Sequence, residues 1–122
     1  MTTAETPGNA AEIVADKWQS VLKYDADLID PAVVRAAYAQ PRLRELFPTV
    51  SHGSLYLSRC ISFPRTTDVG TVIRSDGRLL VFRPSDGATL GMPANLEQAI
   101  EIIVANLPEG CGPAILGTKD DL

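Results

Sequence analysis

Near the start of the chain, apolar positions recur at helical spacing. Val14, Trp18, Val21 and Leu22 fall on one stripe with Asp16, Lys17 and Lys23 opposite, which predicts an amphipathic helix of about four turns with Trp18 in the core. Asn9 stands where a cap is needed, and Glu12 three residues on completes a capping box. A second start follows at Asp30-Pro31, a cap and a proline at the first helical position, with Val33, Val34, Ala37 and Tyr38 carrying the helix to Gln40. Pro41 disfavours helical geometry at the residue before it, so "PRLRELF" is expected to be a separate turn ending before Pro48. Its Leu43, Leu46 and Phe47 would plug the core.

From Thr49 the period changes from helical to alternating. In "SLYLSRCI", Leu55, Leu57, Arg59 and Ile61 share one face and Ser54, Tyr56, Ser58 and Cys60 the other, the mark of a half-buried strand. Residues 68–74 and 78–84 are β-rich runs joined through Asp76-Gly77, a favoured two-residue hairpin turn. Asp86-Gly87 repeats the signal and leads into "ATLGM". A last helix begins with Asn95 as cap and Gln98 closing the box, and Leu96, Ile100, Ile103 and Leu107 line its face before Pro108 ends it. The apolar "AIL" beyond Gly112-Pro113 would lie along a sheet edge.

These elements predict an α+β fold: N-terminal helices, an antiparallel three- to four-stranded meander and a C-terminal helix packed on one sheet face. The boundaries read as a flexible N-terminus at 1–8, a single domain at 9–117 and an acidic tail at 118–122. The uncovered sheet face would present Ser54, Tyr56, Ser58 and arginine stems to water, a surface for partners.

At 122 residues, 45% hydrophobic and 21% charged, the chain is long enough for one core without metal or disulfide staples. A net charge of −4 and a pI near 4.8 oppose binding to a phosphate backbone or an anionic membrane, so neither nucleic acid nor membrane is an expected partner. No apolar run approaches the roughly 18 residues of a membrane span, and no leader pattern opens the chain, which points to the cytoplasm. The charge is uneven: residues 51–91 carry five arginines against three aspartates, while residues 92–122 carry one lysine against five acids. That contrast suggests either arginines paired with acids on nearby helices or an anion-facing sheet.

Candidate chemistry concentrates in "SHGSLYLSRCISFPR" at residues 51–65, which holds the sole histidine. A zinc site needs three or four clustered ligands, and one histidine with isolated Cys60 and Cys111 does not supply them. Phosphate-loop and dinucleotide motifs are missing, because "EGCGPAILG" lacks the preceding strand and following helix they need; no cofactor or metal is expected. Along a strand His52 and Ser54 stand roughly 7 Å apart, too far for a direct bond, and no nucleophile elbow surrounds either serine. His52 therefore reads first as a strand-entrance residue beside a special Gly53 backbone. Catalytic candidates are His52, Ser54, Tyr56 and Cys111; binding candidates are Arg59, Ser58, Tyr56 and Arg83. Arg59 falls on the apolar face, so it requires a carboxylate partner, a place at the sheet margin or a bound anion. Glu101 is one candidate carboxylate.

Phe47-Pro48, Ser51-His52-Gly53, Ser58-Arg59-Cys60 and the run Leu107-Pro108-Glu109-Gly110-Cys111-Gly112-Pro113-Ala114 together carry a resemblance. Over roughly residues 10 to 118 the chain resembles a family of small actinobacterial proteins labelled as natural-product biosynthesis proteins of unknown function. The resemblance implies a genomic setting near secondary-metabolite genes and assigns no reaction. It makes a Cys60–Cys111 contact plausible if the two cysteine motifs lie side by side. The leading expectation is an accessory protein that binds a partner protein, a peptide or a small intermediate through an exposed sheet face, as a possible homodimer. A small cofactor-free cyclase, isomerase or hydrolase with its site around His52 and Arg59 is the alternative; an immunity or inhibitor protein is a third.

Overall fold

The computed structural model describes residues 9–122, so the expected flexible N-terminus at 1–8 lies outside the described residues. Helix α1 (Ala10–Leu22) is capped by the Asn9 side chain, which accepts from the Glu12 N–H at 2.9 Å. Glu12 answers through the Asn9 side-chain amide rather than its backbone. Helix α2 (Pro31–Tyr38) starts as expected, with Asp30 accepting from the Ala32 N–H and proline in the first turn. It stops two residues short of Gln40. The single turn α3 (Pro41–Arg44) then delivers Leu43, Leu46 and Phe47 into the core, all buried.

The largest departure comes next. Pro48, expected to end the helical turn, lies inside strand β1 (Phe47–Ser51), which pairs antiparallel with β2 (Ser54–Ser58) across a two-residue turn. Counting from the Ser51↔Ser54 closing pair, Thr49↔Tyr56 and Phe47↔Ser58 are the hydrogen-bonded pairs and Pro48↔Leu57 is not. The missing N–H of Pro48 thus points away from β2 and costs no ladder bond.

Strands β3 (Thr71–Ser75), β4 (Arg78–Arg83) and β5 (Ala88–Gly91) form the expected meander, in the order β3-β4-β5. Asp76 (φ 52°) and Gly77 (φ 77°) make the tight first turn. The β1-β2 hairpin is a separate sheet rather than a fourth strand of that meander, because residues 59–70 leave the strand path between β2 and β3. Helix α4 (Leu96–Ala105), capped by Asn95 on the Gln98 N–H, packs on one face of β3-β4-β5. Gln98 closes its box on the Ala94 N–H instead of the cap residue's own.

One core unites these layers: Trp18 and Val21 from α1, Val34 from α2, Leu43 and Leu46, Leu55 and Leu57, Val72 and Val81, and Ile100 and Ile103. The indole of Trp18 is fully buried and its Nε1 donates to the Leu46 carbonyl at 3.0 Å. "AIL" does run along a strand end: Ile115 forms a parallel bridge with Cys60, and the Ala114 N–H donates to Glu45 O. The acidic tail closes in a 3-10 turn, Lys119–Asp121, capped by Thr118 and tied to Pro64 O through the Lys119 N–H. No helix among the described residues is long and apolar enough to cross a membrane.

Candidate functional site

Strand β2 carries the candidate residues, and its two ends lead to different places. At the hairpin end, His52 (φ 51°) and Gly53 (φ 78°) are the turn residues. Two positive φ values in sequence suit Asn-Gly or Asp-Gly, and histidine tolerates the left-handed region better than most side chains. His52 is therefore exposed on the turn that leads into β2, with its Nδ1 3.0 Å from Ser51 Oγ. A groove of about 480 Å³ opens beside it, lined by His52, Ser54, Asp30, Val33, Ile73 and Arg74. Asp30, beyond capping α2, accepts from Arg74 Nη2 at 3.1 Å. Its carboxyl is held below the usual range, first by the Ala32 N–H and then by Arg74.

At the other end the expected alternation fails. Ser58, expected on the water face with Ser54 and Tyr56, is buried, and so is Cys60, which shares their side of the alternation. The strand ends at Ser58, and the following loop folds back over that face. Thr66 Oγ1 accepts from the Arg59 N–H at 2.8 Å, and Ser58 Oγ donates to Cys60 O at 2.6 Å. Ser58 thus holds the loop and offers no surface. Tyr56, between the two ends, is half-buried opposite Thr49.

Arg59 finds its carboxylate, and it is Asp68 rather than Glu101, which lies exposed on α4: Nη1 to Oδ2 is 2.9 Å, with the side chains 17% and 32% exposed. The pair makes one hydrogen bond where two are available, leaving Arg59 Nε and Asp68 Oδ1 buried without partners. Cys111 lies close to this guanidinium. Burial pushes its thiol up, outweighing the opposing pull of Arg59 and Arg42, so at neutral pH it is a thiol and a poor nucleophile. The cysteine motifs do run side by side, through the Cys60–Ile115 bridge, but both cysteines are free. Arg83 is committed locally: it grips Asp86 through two bonds of 3.0 and 2.8 Å, which hold the Asp86 carboxyl down at about 2.

The structure therefore does not bring His52 and Arg59 together. Seven residues of nearly extended chain put them on the order of 20 Å apart, and Cys111 belongs with Arg59. No cluster of metal-ligating side chains occurs among the described residues.

A third feature was invisible in the periodicity. Register Thr71↔Phe82 and Ile73↔Leu80 sets Ile73, Leu80 and Phe82 on the sheet face opposite α4, while Leu79 and Val81 bury on the helix side. These three apolar side chains are half-buried and lie outside the core cluster. Met92, 62% exposed, adjoins Leu80 and Arg78 around a shallow concavity of about 440 Å³.

The arrangement defines a small α+β protein: helices, one hairpin and a three-stranded meander whose outer face is buried at Thr71 and half-buried at Ile73, Leu80 and Phe82. The chain belongs to a family of unknown function (DUF6193), whose family model matches residues 12–118. No curated protein and no solved structure matches it.

Proposed function

We propose that this protein is an accessory binding protein that holds a partner protein or peptide on the outer face of β3-β4-β5. The observation that carries the reading is the trio Ile73, Leu80 and Phe82, displayed outside the core and extended by Met92. An apolar centre with an aromatic and a methionine, edged by Arg78, has the composition of an interface core. The surface around Leu80, Arg78 and Met92 is a shallow concavity, whereas a small molecule is bound by burying most of its surface in a cleft; this favours a macromolecular partner over a small intermediate. The motif resemblance supports a role in natural-product biosynthesis, and two free cysteines accord with a reducing cytoplasm. To test it, partners retained from the source organism are identified by mass spectrometry, then titrated against wild type, Leu80→Asp and Phe82→Ser. Binding should fall at least about 30-fold, the loss of one hot-spot side chain, with amide-exchange protection over β3 and β4 in the wild-type complex. Unchanged affinity in both variants would sink the proposal.

The groove at the hairpin tip favours a second reading, a small cofactor-free enzyme. It is concave and places His52 with the Ser54 hydroxyl, Asp30 and Arg74, the elements of general acid–base work. Here His52→Asn is the informative substitution, because asparagine fits the left-handed turn better than histidine or alanine. We expect it to keep or raise the melting temperature while removing the imidazole. Any turnover that survives it would exclude His52 as the base.

A further inference from the structure

Phe63 is 74% exposed, the largest exposure of any bulky apolar residue described. Its position is explained by Arg65: the guanidinium carbon sits 3.9 Å from the Phe63 ring centroid and 4.9 Å from that of Phe47. Arg65 Nε donates to Ile61 O at 2.8 Å. Two aromatic contacts and one main-chain bond thus fix the guanidinium plane. Among the described residues its two Nη groups have no acceptor, so this arginine is held in place with its fork unused.

Arg65 lines an open concavity of about 450 Å³, together with Arg59, Lys119, Asp68, Thr66, Ser85 and Leu122. The three cations come from separate stretches of chain. The Lys119 N–H bond to Pro64 O brings the tail to the Arg65 loop, and the Thr66 hydroxyl ties that loop to Arg59. Of the charged side chains that line it, Arg59, Arg65 and Lys119 stand against Asp68, whose carboxylate is already occupied by Arg59; Asp120 and Asp121 follow Lys119 in the chain without lining the concavity. Buried Arg59 Nε adds a donor without an acceptor, and Asp68 Oδ1 an acceptor without a donor.

We propose that this concavity binds a phosphoryl group. Arg65 would grip two of its oxygens through the free fork, Lys119 would act as a point charge on a third, and the Thr66 and Ser85 hydroxyls are at hand as further donors. Donors arriving from several directions suit a tetrahedral group better than a planar carboxylate. The site is separate from the outer sheet face, so its failure or success leaves the partner-binding reading untouched.

The phosphoryl group can sit on a soluble metabolite or on a lipid, and the test has an arm for each. Inorganic phosphate is titrated against the full chain by NMR, following the Arg65 side-chain Nε–H and the Lys119 amide. In parallel, vesicles of phosphatidylcholine with phosphatidate are sedimented with the protein. Saturable shifts at constant ionic strength, weakened about tenfold in Arg65→Lys and in Lys119→Met, are the expected result. Arg65→Lys keeps the charge and loses the fork, and Lys119→Met alters an exposed side chain only, so neither depends on the aromatic stack surviving. Co-sedimentation lost in the same variants would also support the site and assign it to lipid. No saturation by phosphate in the millimolar range together with no vesicle binding, or equal binding by all three proteins, would overturn it.

Discussion

Trp18→Ala is expected to remove about 3–5 kcal/mol of stability, a large share of the 5–15 kcal/mol typical of a whole domain. The indole is fully buried where α1 meets the α3–β1 junction, with the Tyr38 ring centroid 5.4 Å away. Its truncation leaves a cavity that three elements would have to collapse to fill. Two effects are combined in that loss, and Trp18→Phe separates them. Phenylalanine keeps most of the volume but strands the Leu46 carbonyl, which now accepts from Nε1 at 3.0 Å; an orphaned buried acceptor costs about 1–3 kcal/mol. Urea unfolding of the three proteins gives both numbers. A loss below about 1 kcal/mol for Trp18→Ala would show that the core is not centred there.

The same residue shows what a sequence of this kind discloses. Trp18 sits on an unbroken helical stripe, and wherever one period persisted for two or more turns the element and its buried face were legible. Caps and tight turns were legible too, since Asn9, Asp30, Asn95 and Asp76-Gly77 act through bonds to their own neighbours. Pro48 was misleading because a proline next to a helical turn normally ends structure; only the register against β2 reveals that its nitrogen faces outward. Ser58 and Cys60 failed for a different reason. Alternation records which way a side chain points, but their burial depends on a loop at 61–67 and on Ile115, more than fifty residues away. The candidate site suffered most from such distance. Asp30 could be read as a cap and Arg74 as a strand residue, but nothing local indicates that they meet beside His52. That Arg59 needs a carboxylate followed from its position, whereas the choice of Asp68 over Glu101 is a property of the folded loop. Arg65 carried no signal in the charge count, because its significance lies in two phenyl rings that hold it.

Asp68→Ala is expected to cost about 1–3 kcal/mol, the range for leaving a buried polar group without its partner, even though the carboxylate is one-third exposed. The reason is what it leaves behind. Arg59, 17% exposed, already has a buried Nε without a partner, and losing Asp68 would strip its Nη1 as well. A guanidinium deprived of its acceptor in that position is worse than no guanidinium. The double variant Arg59→Met/Asp68→Leu should therefore recover most of the loss, as apolar replacements of buried pairs commonly do, and a double-mutant cycle measures the difference. The damage should also be local. Arg59 is bonded through its N–H to Thr66 and through its carbonyl to the Ile115 N–H, and Ile61 in turn donates to Ile115 O. Displacing Arg59 loosens the contact that docks the C-terminal segment, so the Ile61 and Ile115 amides should exchange faster in Asp68→Ala while the β3-β4 amides keep their protection. Uniform acceleration across both sheets would mean that the pair supports the whole fold rather than this junction. A cycle showing no coupling would mean that Arg59 reaches water without Asp68, leaving the unused bonds of the pair without structural consequence.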